Sequence, residues 1–199
     1  MSGTGQSGNF DVVIAGGGMI GTSLVLALAP LGLRVAVVEA VARKDYAQPS
    51  FDDRSTALSR STQRMFEAMG LWDKIVAAST PIRSIHVSDQ GRFGFSHIDA
   101  EEQNVEALGY VVINRVLGTV LQSALQKLKD VEVICPGRIV DVDLAPEHVA
   151  AVVECADDVR QELSAKLLVA ADGAGSSVRE MMGISVQKSE YGQRAVIGN

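Results

Sequence analysis

Short apolar runs and helically spaced apolar positions alternate along the first forty residues. Asp11-Val-Val-Ile-Ala15 is a β-rich apolar run. Beyond a cluster of glycines, Ile20, Leu24, Ala27, Leu28 and Leu31 recur at helical spacing, and Arg34-Val-Ala-Val-Val-Glu39 reads as a second buried strand. Strand, Gly-rich turn, helix, strand is the order of a βαβ unit of the nucleotide-binding kind. From Ala40 to Asp53 the pattern lapses into a polar loop. Leu58, Thr62, Met65, Phe66 and Met69 then restore helical spacing until Gly70 ends it, and Pro81 marks a boundary. Ile82 to Ser88 and Tyr110 to Ile113 read as strands on either side of polar loops, Asp89 to Leu108, and suggest a second, sheet-based layer. Asn114 is placed to cap a helix whose apolar face is Leu117, Leu121, Ala124, Leu125 and Leu128. Val131 to Cys135 is a further strand, and Arg138 to Leu144 with Val149 to Cys155 form a hairpin around Pro146. The continuous apolar run from Lys166 to Ala171 predicts a strand buried on both faces.

Composition narrows the reading. The chain has 199 residues, and its 18 basic and 24 acidic side chains give a net charge of −6; with no Lys/Arg-rich run, it lacks the electrostatic footprint of a nucleic-acid binder. Nearly half of the residues are apolar, enough to build a real core. Cys135 and Cys155 lack CxxC or Cys/His spacing and read as buried free thiols, which suits a reducing compartment. His86, His97 and His148 are scattered without metal or triad spacing, so no metal site is expected. Met1 to Asn9, small, polar and uncharged, read as a disordered leader. No apolar run approaches the ~20 residues needed to span a bilayer. The last residues, Arg194 to Asn199, look like the middle of a strand, which suggests a truncated chain.

The first chemical signal is Gly16-x-Gly18-x-x-Gly21, directly after a strand and opening a helix. The first glycine permits the tight bend, the second lets backbone approach a pyrophosphate and the third lets helix pack on strand, while the helix N-terminus favours an anion. Glu39, 23 residues beyond Gly16 at the end of the next strand, can accept hydrogen bonds from both hydroxyls of an adenosine ribose. A carboxylate there repels a 2′-phosphate, so the spacing suits FAD or NAD better than NADP. Position 25, often Gly or Ala in such helices, is Val.

The second signal is Leu167-Leu-Val-Ala-Ala-Asp172-Gly173, followed by Ser176, Ser177 and Arg179 at the start of a helix. A strand C-terminus beside a helix N-terminus offers donors to an anion, and Arg179 adds a cation. The same residues also fit a plain left-handed turn at Gly173 with Asp172 as a cap.

Together these segments resemble the N-terminal half of the single-component FAD-dependent aromatic-ring hydroxylases, from about Phe10 to Asn199. Phe51-Asp52-Asp53-Arg54-Ser-Thr-Ala-Leu-Ser59, His86-Val-Ser-Asp89-Gln-Gly91, Ala107-Leu-Gly-Tyr-Val-Val112 and Val169-Ala-Ala-Asp-Gly173 are most similar to the ubiquinone-biosynthesis branch, the 2-polyprenyl-6-methoxyphenol hydroxylases. The resemblance implies an α/β fold, Rossmann-like and of the para-hydroxybenzoate hydroxylase type, with part of a β-rich substrate domain. The FAD-binding domain is expected at residues 10–80 and 110–183, and substrate-domain pieces at 81–109 and 184–199. It implies that Gly16, Gly18 and Gly21 hold the FAD pyrophosphate and Glu39 its ribose. Asp52 and Arg54 match an Asp-x-Arg loop near the flavin, Arg115 matches an arginine beside the pyrophosphate, and Gln122 reaches the same cofactor. Asp172 and Gly173 match a motif associated with both flavin and nicotinamide binding. The family's second Gly-Asp motif, at the ring end of the flavin, has no counterpart in these 199 residues, so a partial FAD site is expected.

The implied reaction is hydroxylation of a polyprenylated phenol with NAD(P)H and O2 through a flavin C4a-hydroperoxide. No side chain stands out as a general base. Such a substrate implies a cytoplasmic protein in peripheral contact with the inner membrane and with other ubiquinone-biosynthesis proteins. No segment reads as an amphipathic anchor. An NAD-dependent dehydrogenase, a flavin-dependent prenyl reductase and a non-catalytic nucleotide-binding fragment remain alternatives.

Overall fold

The computed structural model describes residues 5–42, 53–156 and 159–194. These residues fall into two compact units, one of 5–42, 121–156 and 159–194, the other of 53–120.

The first unit is built on a six-stranded sheet. β1 (Gly5–Ala15), β2 (Val35–Val38), β8 (Val131–Ile134) and β11 (Arg160–Ala170) run parallel, while β9 (Gly137–Leu144) and β10 (Val149–Cys155) form the expected antiparallel hairpin; the order is β8-β2-β1-β11-β10-β9. Fully buried β2 is the short apolar run that a central parallel strand requires. One face of the sheet packs Val12, Ile14, Val35 and Val37 against Val25 of α1 (Met19–Leu28) and Leu125 of α4 (Asn114–Leu125). The other packs Val13, Ala36, Val38, Val153 and Leu163 with Val178 of α5 (Ser177–Met181).

Several expectations are corrected here. Residues 5–9, read as part of a disordered leader, extend β1 and pair with β11 from Gly5↔Gln161 to Asn9↔Ser164; residues 1–4 lie outside the described residues. Backbone pairing needs no apolar side chain, so polarity alone misreads such a segment. On α1 the fully buried residues are Gly21, Thr22 and Val25, with the expected Leu24 and Leu28 packed partly buried against the same core, whereas Ile20 is 76% exposed and Leu31, beyond the helix, 66% exposed. Lys166 to Ala171 is central by hydrogen bonding, flanked by β1 and β10, yet Leu167 is 53% exposed. Burial of a strand depends on the layers above and below it as well as on its neighbours. Cys135 and Cys155 are not in a disulfide among the described residues, and both are half-buried rather than buried.

The second unit holds a three-stranded sheet, β3 (Ser55–Ser59), β7 (Gly109–Ile113) and β4 (Ser79–Ile82), with β7 central, and a separate hairpin of β5 (Ser84–Ser88) and β6 (Phe95–Asp99). Leu58, read as helical, pairs with Tyr110 in β3. α2 (Arg60–Ala68) starts after it because the Ser59 hydroxyl accepts the Thr62 N–H at 3.3 Å. Gly70, with φ of +67°, ends that turn as expected, and α3 (Trp72–Val76) follows. Pro81 lies inside β4, an edge strand, where a missing N–H is tolerated. The Asp89 to Leu108 stretch, read as loops, contains β6; nearly every residue of its hairpin is exposed, so no alternation marks it. The core of this unit is Leu58, Phe66, Trp72, Ile75, Tyr110 and Val112, with Trp72 edge-on to Tyr110 at 4.9 Å between ring centroids.

Candidate functional site

β1 ends at Ala15, and the chain turns at Gly16 with φ of +100°, a conformation only glycine adopts readily. A Cβ on Gly16 would collide with the carbonyl of Ala171, and one on Gly21 would collide with the carbonyl of Gly16. These two glycines therefore let the first turn of α1 lie directly on the ends of β1 and β11. Gly18 is the N-cap of α1, extended at φ −68° and ψ −170°. Among the described residues no side chain caps this helix, its first turn holds no acid, and its N-terminal N–H groups carry the positive end of the dipole.

Glu39 follows β2 and faces the same turn. Its Oε2 accepts the Gly17 N–H at 2.6 Å and its Oε1 accepts the Val41 N–H at 2.8 Å. Its backbone is equally fixed: Glu39 N–H donates to Ile134 O and Glu39 O accepts from Gly137 N–H. A Cβ on Gly137 would come within 2.8 Å of Ile134, so the β8-to-β9 passage beside Glu39 also depends on a glycine.

Gly17 is the residue that the spacing argument passes over. A Cβ there would sit 3.1 Å from the Cβ of Glu39. Its carbonyl accepts from Thr22 Oγ1 at 2.9 Å and from Gln122 Nε2 at 3.2 Å. Thr22 is fully buried on α1, and a polar side chain on the inner line of an apolar helix is the signal that could have marked it. Gln122, on α4, thus reaches the glycine turn itself, and its Oε1 is buried without a hydrogen-bond partner among the described residues.

Asp172 and Gly173 adjoin the turn, since the added Cβ of Gly16 would also lie 3.0 Å from the Asp172 Cα. Gly173 adopts φ of +86°. Asp172 Oδ2 accepts from Ser177 N–H at 2.8 Å and Val178 N–H at 3.3 Å, so the carboxylate caps α5. Burial pushes this carboxyl up, but hydrogen bonds from Ser176 and from the Val178 and Ser177 backbone outweigh it and hold it below the ordinary aspartate range. Ser176 accepts the Arg179 N–H at 3.0 Å, and Arg179 Nη2 donates to Ala174 O at 2.9 Å, closing the same turn. Both readings of this segment meet here: it is a left-handed turn with an aspartate cap, and it stands beside the glycine turn.

Arg54 and Arg115 belong to the second unit. The Arg54 carbonyl accepts the Asn114 N–H at 2.8 Å, and Arg115 Nε donates to Asp53 Oδ1 at 2.9 Å in an exposed ion pair. Asn114, buried at the start of α4, also accepts from the Thr56 hydroxyl. The two arginines are thereby brought to one end of α4. Asp52 lies outside the described residues.

Three comparisons bear on the family and the fold. The model of a family described as FAD binding domain matches residues 9–197. The chain is 34% identical over 187 residues to the ubiquinone hydroxylase UbiL of Rhodospirillum rubrum, covering 94% of this chain and 42% of that protein. It is 31% identical over 191 residues to the 3-demethoxyubiquinol 3-hydroxylase of Escherichia coli strain K12, covering 94% and 47%. It therefore spans less than half the length of these curated relatives. Among solved structures, the p-nitrophenol 4-monooxygenase PnpA of Pseudomonas putida DLL-E4 superposes with a TM-score of 0.74 at 23% identity, over 89% of this chain and 45% of that one, a likeness of fold.

Proposed function

This chain belongs to the FAD binding domain family, and from that premise we propose that it is the cofactor-binding part of an FAD-dependent monooxygenase of ubiquinone biosynthesis. The proposed substrate is a polyprenylated phenol, with NAD(P)H and O2 as co-substrates. The observation that carries the reading is the meeting of Glu39 with the glycine turn at the uncapped end of α1. A dinucleotide presents a ribose diol and a pyrophosphate, and the site offers a carboxylate for the first and the N-terminal N–H groups of α1 for the second.

The residues present fit FAD. Glycines at 16, 17 and 21 let the turn, the start of α1 and the Glu39 side chain approach one another closely, which brings the helix N-terminus and the carboxylate together as a pyrophosphate and its ribose require. In this reading Gly16, Gly18 and Gly21 shape the pyrophosphate seat and Glu39 orients the ribose. Asp172 and Gly173 form its neighbouring wall. Bound FAD supplies the electron transfer from NAD(P)H to O2, one oxygen atom entering the ring and the other leaving as water. The protein's part is to bind, orient and exclude water. The substrate-facing half is assigned to sequence that the relatives possess beyond the matched region. Among the described residues no helix is long and apolar enough to cross a membrane. Peripheral membrane contact through the polyprenyl tail is part of the proposal.

The test is a titration of the thermal stability of the 199-residue chain with FAD and, separately, NAD. A ligand that prefers the folded state must stabilise it, by about 2.7 kcal/mol at a concentration 100 times its Kd. Saturable stabilisation by FAD that disappears in Glu39→Arg is the expected result. A response to NAD with none to FAD would overturn the monooxygenase assignment.

A further inference from the structure

We infer that Thr22 and Gln122 are positioning residues for Glu39, acting through Gly17, and that they set how strongly the site distinguishes a nucleotide bearing a free ribose 2′-hydroxyl from one lacking it. The inference rests on the dinucleotide reading above and extends it to residues that touch neither the ribose nor the pyrophosphate in that reading.

Gly17 is held from both sides. Its N–H donates to Glu39 Oε2 at 2.6 Å, the shortest bond at the site, and its carbonyl is gripped by Thr22 Oγ1 at 2.9 Å and Gln122 Nε2 at 3.2 Å. Gln122 Nε2 also lies 3.5 Å from Thr22 Oγ1, so α1 and α4 converge on one carbonyl. A glycine has no side chain to restrain its two peptide planes, and the freedom that admits it beside Glu39 would let the N–H swing away. The grip on the carbonyl fixes the peptide plane after Gly17 and so limits its ψ, which narrows the positions open to the preceding plane that carries the N–H.

The chemistry at Gln122 supports a purpose for the grip. With Nε2 turned to the Gly17 carbonyl, Oε1 is buried without a partner among the described residues, an arrangement that costs stability. The reverse orientation would set two acceptors against each other at Gly17. An apolar residue at position 122 would avoid the cost and lose the bond. Thr22 is likewise fully buried among apolar neighbours of the helix, where valine has the same shape and no donor.

The consequence concerns selectivity. A carboxylate held in one orientation discriminates between ribose and 2′-deoxyribose through a directional hydrogen bond, whereas a mobile one accepts either. The full chain is titrated with ADP and 2′-deoxy-ADP by calorimetry. In Thr22→Val and in Gln122→Leu the preference for ADP is expected to fall about threefold to tenfold, toward that of Glu39→Ala, and Thr22→Ser should restore it. Equal weakening of both nucleotides, with the preference intact, would mean that the two residues only stabilise the fold and would overturn the inference. Should Thr22→Val not fold, Gln122→Leu at its half-buried position carries the same comparison.

A second measurement separates this inference from the reading beneath it. If the unmodified chain binds neither nucleotide, the dinucleotide reading fails, and amide exchange by NMR still decides whether the grip exists. The Gly17 amide is expected to exchange about tenfold faster in both variants while Val37 in β2 stays unchanged. Unaltered exchange at Gly17 would overturn the positioning role.

Discussion

Gly16, Gly21 and Gly173 are glycines for different physical reasons, and substitution separates them. Gly21→Ala drives a methyl group into the Gly16 carbonyl, a backbone atom that cannot step aside. The expected loss is about 3 kcal/mol in urea unfolding. Gly173 faces open space and is constrained only by φ of +86°, so Gly173→Ala should cost about 1 kcal/mol in the same assay. Asp172 gives a pH signature. Its folded-state pKa lies below the unfolded value, so its contribution is fully present above about pH 5 and is lost as the pH falls through the folded pKa. Asp172→Ala should therefore be about 1 kcal/mol less stable than the unmodified chain at neutral pH, and that gap should close in acid. A gap that stays constant down to pH 2 would show that the carboxylate does not cap α5. At this scale Gly16, Gly21 and Glu39 are readable from residue type and spacing. Gly17 is not, because its role comes from its backbone groups, and Thr22 is marked only by a polar side chain once the buried line of the helix is known.

Among the elements, α1 shows where pattern reading goes astray. The apolar spacing picks out Ile20, Leu24, Ala27, Leu28 and Leu31; Leu24 and Leu28 do pack on the core beneath α1, but the residues it buries fully are Gly21, Thr22 and Val25, and Ile20 and Leu31 are exposed. The close approach of Gly21 to the Gly16 carbonyl fixes the rotation of the helix, and a glycine contributes no hydrophobic signal to a pattern. The outcome is measurable. Val25→Ala, at a fully buried site, should cost roughly 2 kcal/mol, whereas Ile20→Ala, at a position 76% exposed, should change stability by less than about 0.5 kcal/mol. A larger effect at Ile20 would restore the face read from the pattern. On α4 the pattern holds: Leu117, Leu121 and Leu125 are all buried as their spacing predicts. The β5–β6 hairpin is silent in the sequence for a different reason, since a strand exposed on both faces has no alternation to read.

At the scale of the molecule, the long parallel pairing of β1 with β11 joins the two motif segments, residues 16–21 and 172–173, which stand some 150 positions apart in sequence. FAD bound as proposed should slow amide exchange at residues 16–22 and 39–41 while leaving the β9–β10 turn at 145–148 unchanged, and uniform slowing would point to a general effect on folding. By itself the sequence determined the βαβ order, the glycine turn, the strand-end glutamate and the family resemblance, because each is a matter of residue type at short range, set by steric limits on φ and by local hydrophobic period. Only the tertiary structure decided that β1 begins at Gly5, which face of α1 is buried, that Leu167 is exposed, and that Gln122 reaches the Gly17 carbonyl. Those outcomes depend on which distant backbone and side chain fill the space around a residue, and that information belongs to the packed chain.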